Sequence, residues 1–159
     1  MSEPGNANAG VPTIGGLVVR HPSALDEPVL ALLRAQNVCV ISTHGAGEVI
    51  HSRAVWADTD GEHVVVNSVD GRVWVNDLAR NSNVTCTIVN LANPYEFASI
   101  EGLLVDRTTD GATEHINFLA KKYLDLDDYP FHSDTEARVI FRVIPTRILH
   151  MAPEAPALQ

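Results

Sequence analysis

The sequence predicts an α+β domain, a small barrel of about six mainly antiparallel strands covered by two or three helices. Three observations carry that expectation. Most strand-like runs alternate apolar and polar residues, so each has one face for a core and one for different surroundings. Successive strands are joined by short turns, which makes sequential neighbours antiparallel. Strands with two unlike faces are best protected when the sheet closes on itself, and the few helical stretches are then left to cover its ends.

The 159 residues suffice for one domain with a substantial core, and 45% hydrophobic with 19% charged residues is ordinary for a soluble globular chain. Residues 1–20, rich in Gly, Ala, Asn and Pro, read as a flexible tail; 21–150 read as the single domain and 151–159 as a Pro- and Ala-rich C-terminal tail. A net charge of −9 argues against nucleic-acid binding, which needs Lys and Arg to displace counterions, and against an anionic membrane surface. No apolar run approaches the length of a membrane span, and the N-terminus lacks the basic-then-apolar pattern of a secretion signal. Cys39 and Cys86 sit inside strand-like runs without CxxC spacing. They read as buried reduced thiols, and the expected compartment is the cytoplasm.

In chain order, Ala24–Gln36 places Leu25, Val29, Leu32 and Leu33 at helical spacing, with Ser23 as cap and Asp26 and Glu27 in the first turn. Val38–Thr43 is a short apolar strand, His44–Gly47 a turn, and Glu48–Asp58 one long strand. Val49, His51, Arg53 and Val55 share one face of that strand; Ile50, Ser52, Ala54 and Trp56 share the other. His63–Asn67 is β-branched and follows an Asp60-Gly61 turn. Ser68–Arg72 then turns the chain into a helix of roughly two turns that ends near Arg80. Val84–Asn90 alternates again, and Asn93-Pro94-Tyr95 makes a turn into the strand Glu96–Thr108, where Gly102 marks a bulge or a close approach. Thr109 and Asp110 offer a cap for the helix Gly111–Leu124, whose Ala112, Ile116, Leu119 and Tyr123 face a core. Lys121 and Lys122 suit its C-terminal dipole, Asp125–Pro130 is an acidic loop, and Ala137–Ile148 is the last strand.

Few side chains announce chemistry. Seven histidines show no HxH, HxxxH or HExxH pair, which disfavours a catalytic metal. GxSxG, a Walker loop and GxGxxG are all absent, so any reaction would be carried by a cofactor. The strand–glycine turn–helix passage at Ser68–Asn76 exposes free N–H groups beside Arg72, a pattern able to meet an anion. His51 is the histidine to test as a proton donor, Trp74 packs its helix or stacks near a cofactor, and Lys121–Tyr123 form a helix end or a subunit contact.

The run Val65–Leu78 (VVNSVDGRVWVNDL), with Asn81–Asn90, Asn93–Tyr95 and Leu119–Leu124 through Pro130, resembles the pyridoxamine-phosphate-oxidase-like split β-barrel superfamily, and within it the coenzyme F420 (deazaflavin)-dependent reductase group. The Gly47–Trp56 strand fits the same pattern, and the resemblance spans roughly residues 25–148. It implies a homodimer with cofactor sites at the subunit interface. The cofactor would be coenzyme F420, or alternatively FMN. It would lie across Arg53, Ala54, Val55 and Trp56 and across Asn67 and Ser68, with its phosphate at Arg72, Trp74, Val75 and Asn76 and with Tyr95 near the site, from the same or from the other subunit. The implied reaction is hydride transfer to an activated double bond or quinone-like group of a small organic molecule. The motif in this group runs close to G-R-x-K-x-R-N-L; here Trp74, Asn76 and Asp77 stand at the Lys, second Arg and Asn positions. Those replacements motivate the other reading, a non-catalytic binder of a tetrapyrrole or other aromatic ligand of the same fold.

Overall fold

The computed structural model describes residues 16–20 and 24–152. In chain order it contains β1 (Leu17–Arg20), α1 (Glu27–Arg34), β2 (Val38–His44), β3 (Ile50–Val55), β4 (Ala57–Thr59), β5 (Val64–Val69), α2 (Val73–Arg80), β6 (Asn83–Val89), β7 (Phe97–Thr108), α3 (Ala112–Leu124) and β8 (Arg138–Met151). Every strand pairing is antiparallel, in the order β3-β2-β6-β7-β8-β5-β4, with β1 added along β8. The end strands of that path, β3 and β4, are consecutive in sequence and separated by one residue, Trp56. A sheet whose two edges are held one residue apart must curl round, so the order itself dictates an α+β barrel.

The strand count rises from about six to eight for two reasons. The run expected as one strand over Glu48–Asp58 breaks at Trp56, because β3 pairs with β2 while β4 leaves it for β5. Leu17–Arg20, inside the segment read as a tail, pairs with Ile148–Met151. Residues 1–15 and 153–159 of the expected tails, and the Ser23 cap, lie outside the described residues.

The barrel interior is filled from the strands by Cys39, Ile41, Val64, Val66, Ile88, Ile100, Phe141 and Ile148, and from the helices by Val29, Leu33, Trp74 and Leu78. Both cysteines are free and buried there, and the contact with Cys39, together with burial, pushes the Cys86 thiol well up. α3 instead packs outside the barrel, where Ala112 meets Val65 and Ile140. That leaves β5 buried along its whole length, one face in the core and one beneath α3.

Local chemistry adjusts the helix ends. α1 begins at Glu27 rather than Ala24, with Pro28 in its first turn and Asp26 in the cap position but paired to Arg20 at 2.6 Å. The expected cap of α3 at Thr109 or Asp110 is replaced by Gly111, whose φ of +70° makes a turn an L side chain resists. Gly102 is a close approach, as the sequence suggested: a Cβ there would collide with the Ile144 carbonyl oxygen, and the β7–β8 register shifts beside it.

Candidate functional site

The break at Trp56 creates the site. β5 is paired with β8 along Val64–Val69, but with β4 only along Val64–Val66. Beyond Val66 its second edge is unpaired, and β3, which would continue the ladder, has turned away to join β2. Two strand edges with unused N–H and C=O groups therefore face a gap. A cleft of about 910 Å³ opens there, bounded by Arg53–Trp56 on one side and by Asn67, Ser68, Gly71, Arg72, Val73 and Trp74 on the other. That volume is in the range of small-molecule and cofactor pockets.

Its far wall is aromatic. Trp56 stacks on Tyr123, ring centroids 5.3 Å apart and planes 4° from parallel, and Tyr129 meets Trp56 edge-on at 5.8 Å. Tyr123 is pinned because its hydroxyl donates to the Asn37 carbonyl at 2.9 Å, and burial pushes that phenol up to about 12. Lys122, expected at a helix end or a subunit contact, reaches inward to the Ala57 carbonyl at 2.6 Å and Asp58 at 3.3 Å. Burial lowers its pKa against the pull of Asp58. Together the end of α3 clamps the chain on the C-terminal side of the Trp56 break.

The electrostatics single out this cleft. Of eleven lysines and arginines, every one but Arg53, Arg72 and Arg138 is ion-paired with a carboxylate among the described residues. Those three all line the cleft. Arg53 donates only to the Ser52 carbonyl, and Arg138 lies over the Tyr129 ring, 4.5 Å from its centroid. In a chain of net charge −9, with twenty carboxylates to choose from, leaving three guanidinia unpaired around one hollow gives it a positive lining. Asn67 and Ser68 line the same wall, and the Oδ1 of the first and the Oγ of the second are buried without a partner, at a cost to the fold.

The cleft gathers eight of the eleven residues expected from sequence, namely Arg53, Ala54, Val55, Trp56, Asn67, Ser68, Arg72 and Trp74. Val75 faces the core, Asn76 lines a neighbouring cavity and donates to the Gly71 carbonyl, and Tyr95 is 61% exposed on a turn away from the cleft. Trp74 does not project freely into the hollow: it is 4% exposed and tilted against Phe141. Tyr123, Tyr129, Phe131 and Arg138 also line the cleft, and sequence reasoning did not place them there. Their signal was weak, because each lies on a helix face, acidic loop or strand start whose position depends on the closed barrel.

His51 is elsewhere. Its Nδ1 lies 2.6 Å from Asp77, which is fully buried and also accepts from Thr43 at 3.0 Å and Arg80 at 2.9 Å. Burial alone would raise the Asp77 pKa, but these donors outweigh it and hold the carboxyl below its usual range. The node ties α2 to β2 and β3, and so relates the element carrying Arg72 to the strand carrying Arg53.

No protein-family model matches the chain, and no curated protein matches its sequence. Solved structures do match in shape. One is an F420 reductase at TM-score 0.69 and 23% identity, over 78% of this chain and 98% of that one. Another is a candidate pyridoxamine 5′-phosphate oxidase from Listeria innocua, at TM-score 0.59 and 20% identity over 78% and 95%. A third is an FAD and heme binding protein from Mycobacterium smegmatis, at TM-score 0.60 and 13% identity over 86% and 76%. The chain therefore has the split β-barrel fold of the pyridoxamine-phosphate-oxidase-like proteins. Within that fold it is similar in shape to an F420 reductase and to an FAD and heme binding protein.

Proposed function

We propose that this protein is an oxidoreductase that uses reduced coenzyme F420 to reduce an activated double bond or quinone-like group of a small organic molecule, with FMN as the alternative cofactor. The observation that carries this reading is the cleft itself, an aromatic-walled slot between two unpaired strand edges with the three unpaired arginines around it. A flat ring bearing a phosphate needs those features: planar walls, hydrogen-bonding edges and positive charge. Arg72 would meet the phosphate, Arg53 would add positive charge from the opposite wall, Asn67 and Ser68 would meet the polar rim of the ring, and Trp56 with Tyr123 would set the width of the slot. When bound, the reduced deazaflavin supplies the hydride. The chain's own residues orient ring and acceptor and exclude water. No histidine, cysteine or carboxylate lines the cleft among the described residues, which suits chemistry that needs no nucleophile.

The rim supports a homodimer in which a second copy completes the site. Val38, Val73, Leu91 and Phe131 line the cleft yet are 42%, 54%, 59% and 68% exposed, an apolar border a partner subunit would cover. No helix among the described residues is long and apolar enough to cross a membrane. We assign the protein to the cytoplasm, where its two buried thiols would stay reduced.

Titration with oxidised coenzyme F420 and, separately, FMN tests the reading, followed by calorimetry. Micromolar or tighter binding of F420 with turnover on enone or quinone acceptors is the expected result. FMN alone at that affinity moves the protein to the flavin branch. Binding of neither leaves the second reading, a binder of a tetrapyrrole or other aromatic ligand. The structural likeness to an FAD and heme binding protein favours that second reading next.

A further inference from the structure

The helix that follows the glycine turn carries Trp74 and Asn76 where related motifs carry cations, and Trp74 is committed to the core. The turn itself is not short of charge, because a different strand delivers it. In the β5–β8 ladder Val69 lies opposite Arg138, and the Asp70 amide donates to the Ala137 carbonyl at 2.9 Å. The first residues of β8 are thus fastened to the turn that leads through Gly71 to Arg72. Gly71, Arg72 and Arg138 line the same cleft, as do Asn67 and Ser68, whose Oδ1 and Oγ are buried without a partner.

We propose that Arg138 replaces the cations missing from α2 and, with Arg72, forms a two-arginine subsite for a phosphate group of the bound ligand. This rests on the reading of the cleft as a site for a phosphate-bearing cofactor. The guanidinium of Arg138 is held in place over the Tyr129 ring, which leaves its N–H edge free to meet an anion. The acid closest to the turn, Asp70, does not compete, because Arg107 holds it at 2.7 Å. A second cavity beside the turn shares Gly71 and Arg72 but has Glu136 and Asp70 in its wall. The Glu136 carboxylate repels an anion there, so the phosphate belongs on the cleft side of Arg72.

The test compares ligands with and without phosphate on the full-length protein as purified. Affinities for FMN and riboflavin, and for coenzyme F420 and its phosphate-free chromophore core, are measured for the native protein, Arg138→Gln and Arg138→Lys. The expected result is a loss of about tenfold or more for the phosphorylated ligand only, with partial recovery in the lysine variant. Equal losses for both members of a pair would show that Arg138 acts through the Tyr129 wall, and would overturn the proposal. An unchanged affinity would overturn it too. Should neither cofactor bind the native protein, the cofactor reading fails separately. Inorganic phosphate titrated against the arginine side-chain NMR signals then decides: joint movement of Arg72 and Arg138 supports the subsite, and an unmoved Arg138 removes it.

Discussion

Among single residues, the informative feature is which arginines lack partners. A guanidinium left unpaired beside abundant carboxylates forgoes available charge-pairing, so three at one cleft mark a place where an anion is expected. Arg53→Ala and Arg72→Ala should each weaken cofactor binding by about tenfold or more while leaving the thermal midpoint nearly unchanged, since neither contributes to a buried network. Calorimetry and a melting curve on the same samples separate the two effects; an unaltered affinity would falsify the site assignment. Asp77 is the opposite case. It satisfies His51, Thr43 and Arg80 from a fully buried position, and Asp77→Ala leaves them stranded at a cost of about 2–4 kcal/mol. Its folded pKa lies below its unfolded value, so the stability it contributes is complete above about pH 4 and disappears as pH falls through the folded pKa. Denaturant midpoints measured against pH should therefore fall less steeply in acid for Asp77→Asn than for the native protein. Parallel curves would mean that other carboxylates carry the acid sensitivity.

Among the elements, two positions decide how strands meet. Gly102 lets β7 cross close to β8, and its restriction is steric, with no positive φ involved. Gly102→Ala should destabilise the fold by about 1–3 kcal/mol, because a backbone carbonyl cannot swing aside as a flexible side chain can. Equilibrium unfolding measures this, and a change within error would place the shifted register, not the glycine, as the accommodating feature. Trp56 is the hinge at which one β-rich run becomes two strands at opposite ends of the sheet. Its stacking on Tyr123 and the inward reach of Lys122 hold the break in place. Trp56→Ala should cost both stability, by about 1–3 kcal/mol, and ligand affinity, because it removes a wall of the cleft as well as a packing contact. A variant that lost stability but bound ligand normally would detach the aromatic wall from recognition.

For the molecule as a whole, the site lies where the barrel fails to close, and its rim is apolar and exposed. A monomer with that rim in water would be prone to associate, so sedimentation at micromolar concentration should show a dimer. Replacing Leu91 and Phe131 together with serine should shift the equilibrium toward monomer and weaken cofactor binding in step. A monomeric native protein that binds cofactor fully would show that one chain suffices.

Alternation along Val84–Val89 and the Gly111–Leu124 spacing were enough to place a strand and a helix, because local periodicity records which face is buried. The same local logic found the strand–turn–helix around Arg72 and the tightness of Gly102, whereas the segments Arg53–Trp56 and Asn67–Ser68 came from the family resemblance. It read Glu48–Asp58 as one strand, since nothing local distinguishes a strand that continues from one that changes partners at Trp56. It could not bring Tyr129 or Arg138 to the cleft either, because they arrive by pairing across the ladder and by loop packing over distances no window covers. The elements and the available charge were thus written locally, residue by residue, along the chain. Which cations go unpaired was settled by the folded barrel alone, because pairing depends on the strands it makes neighbours.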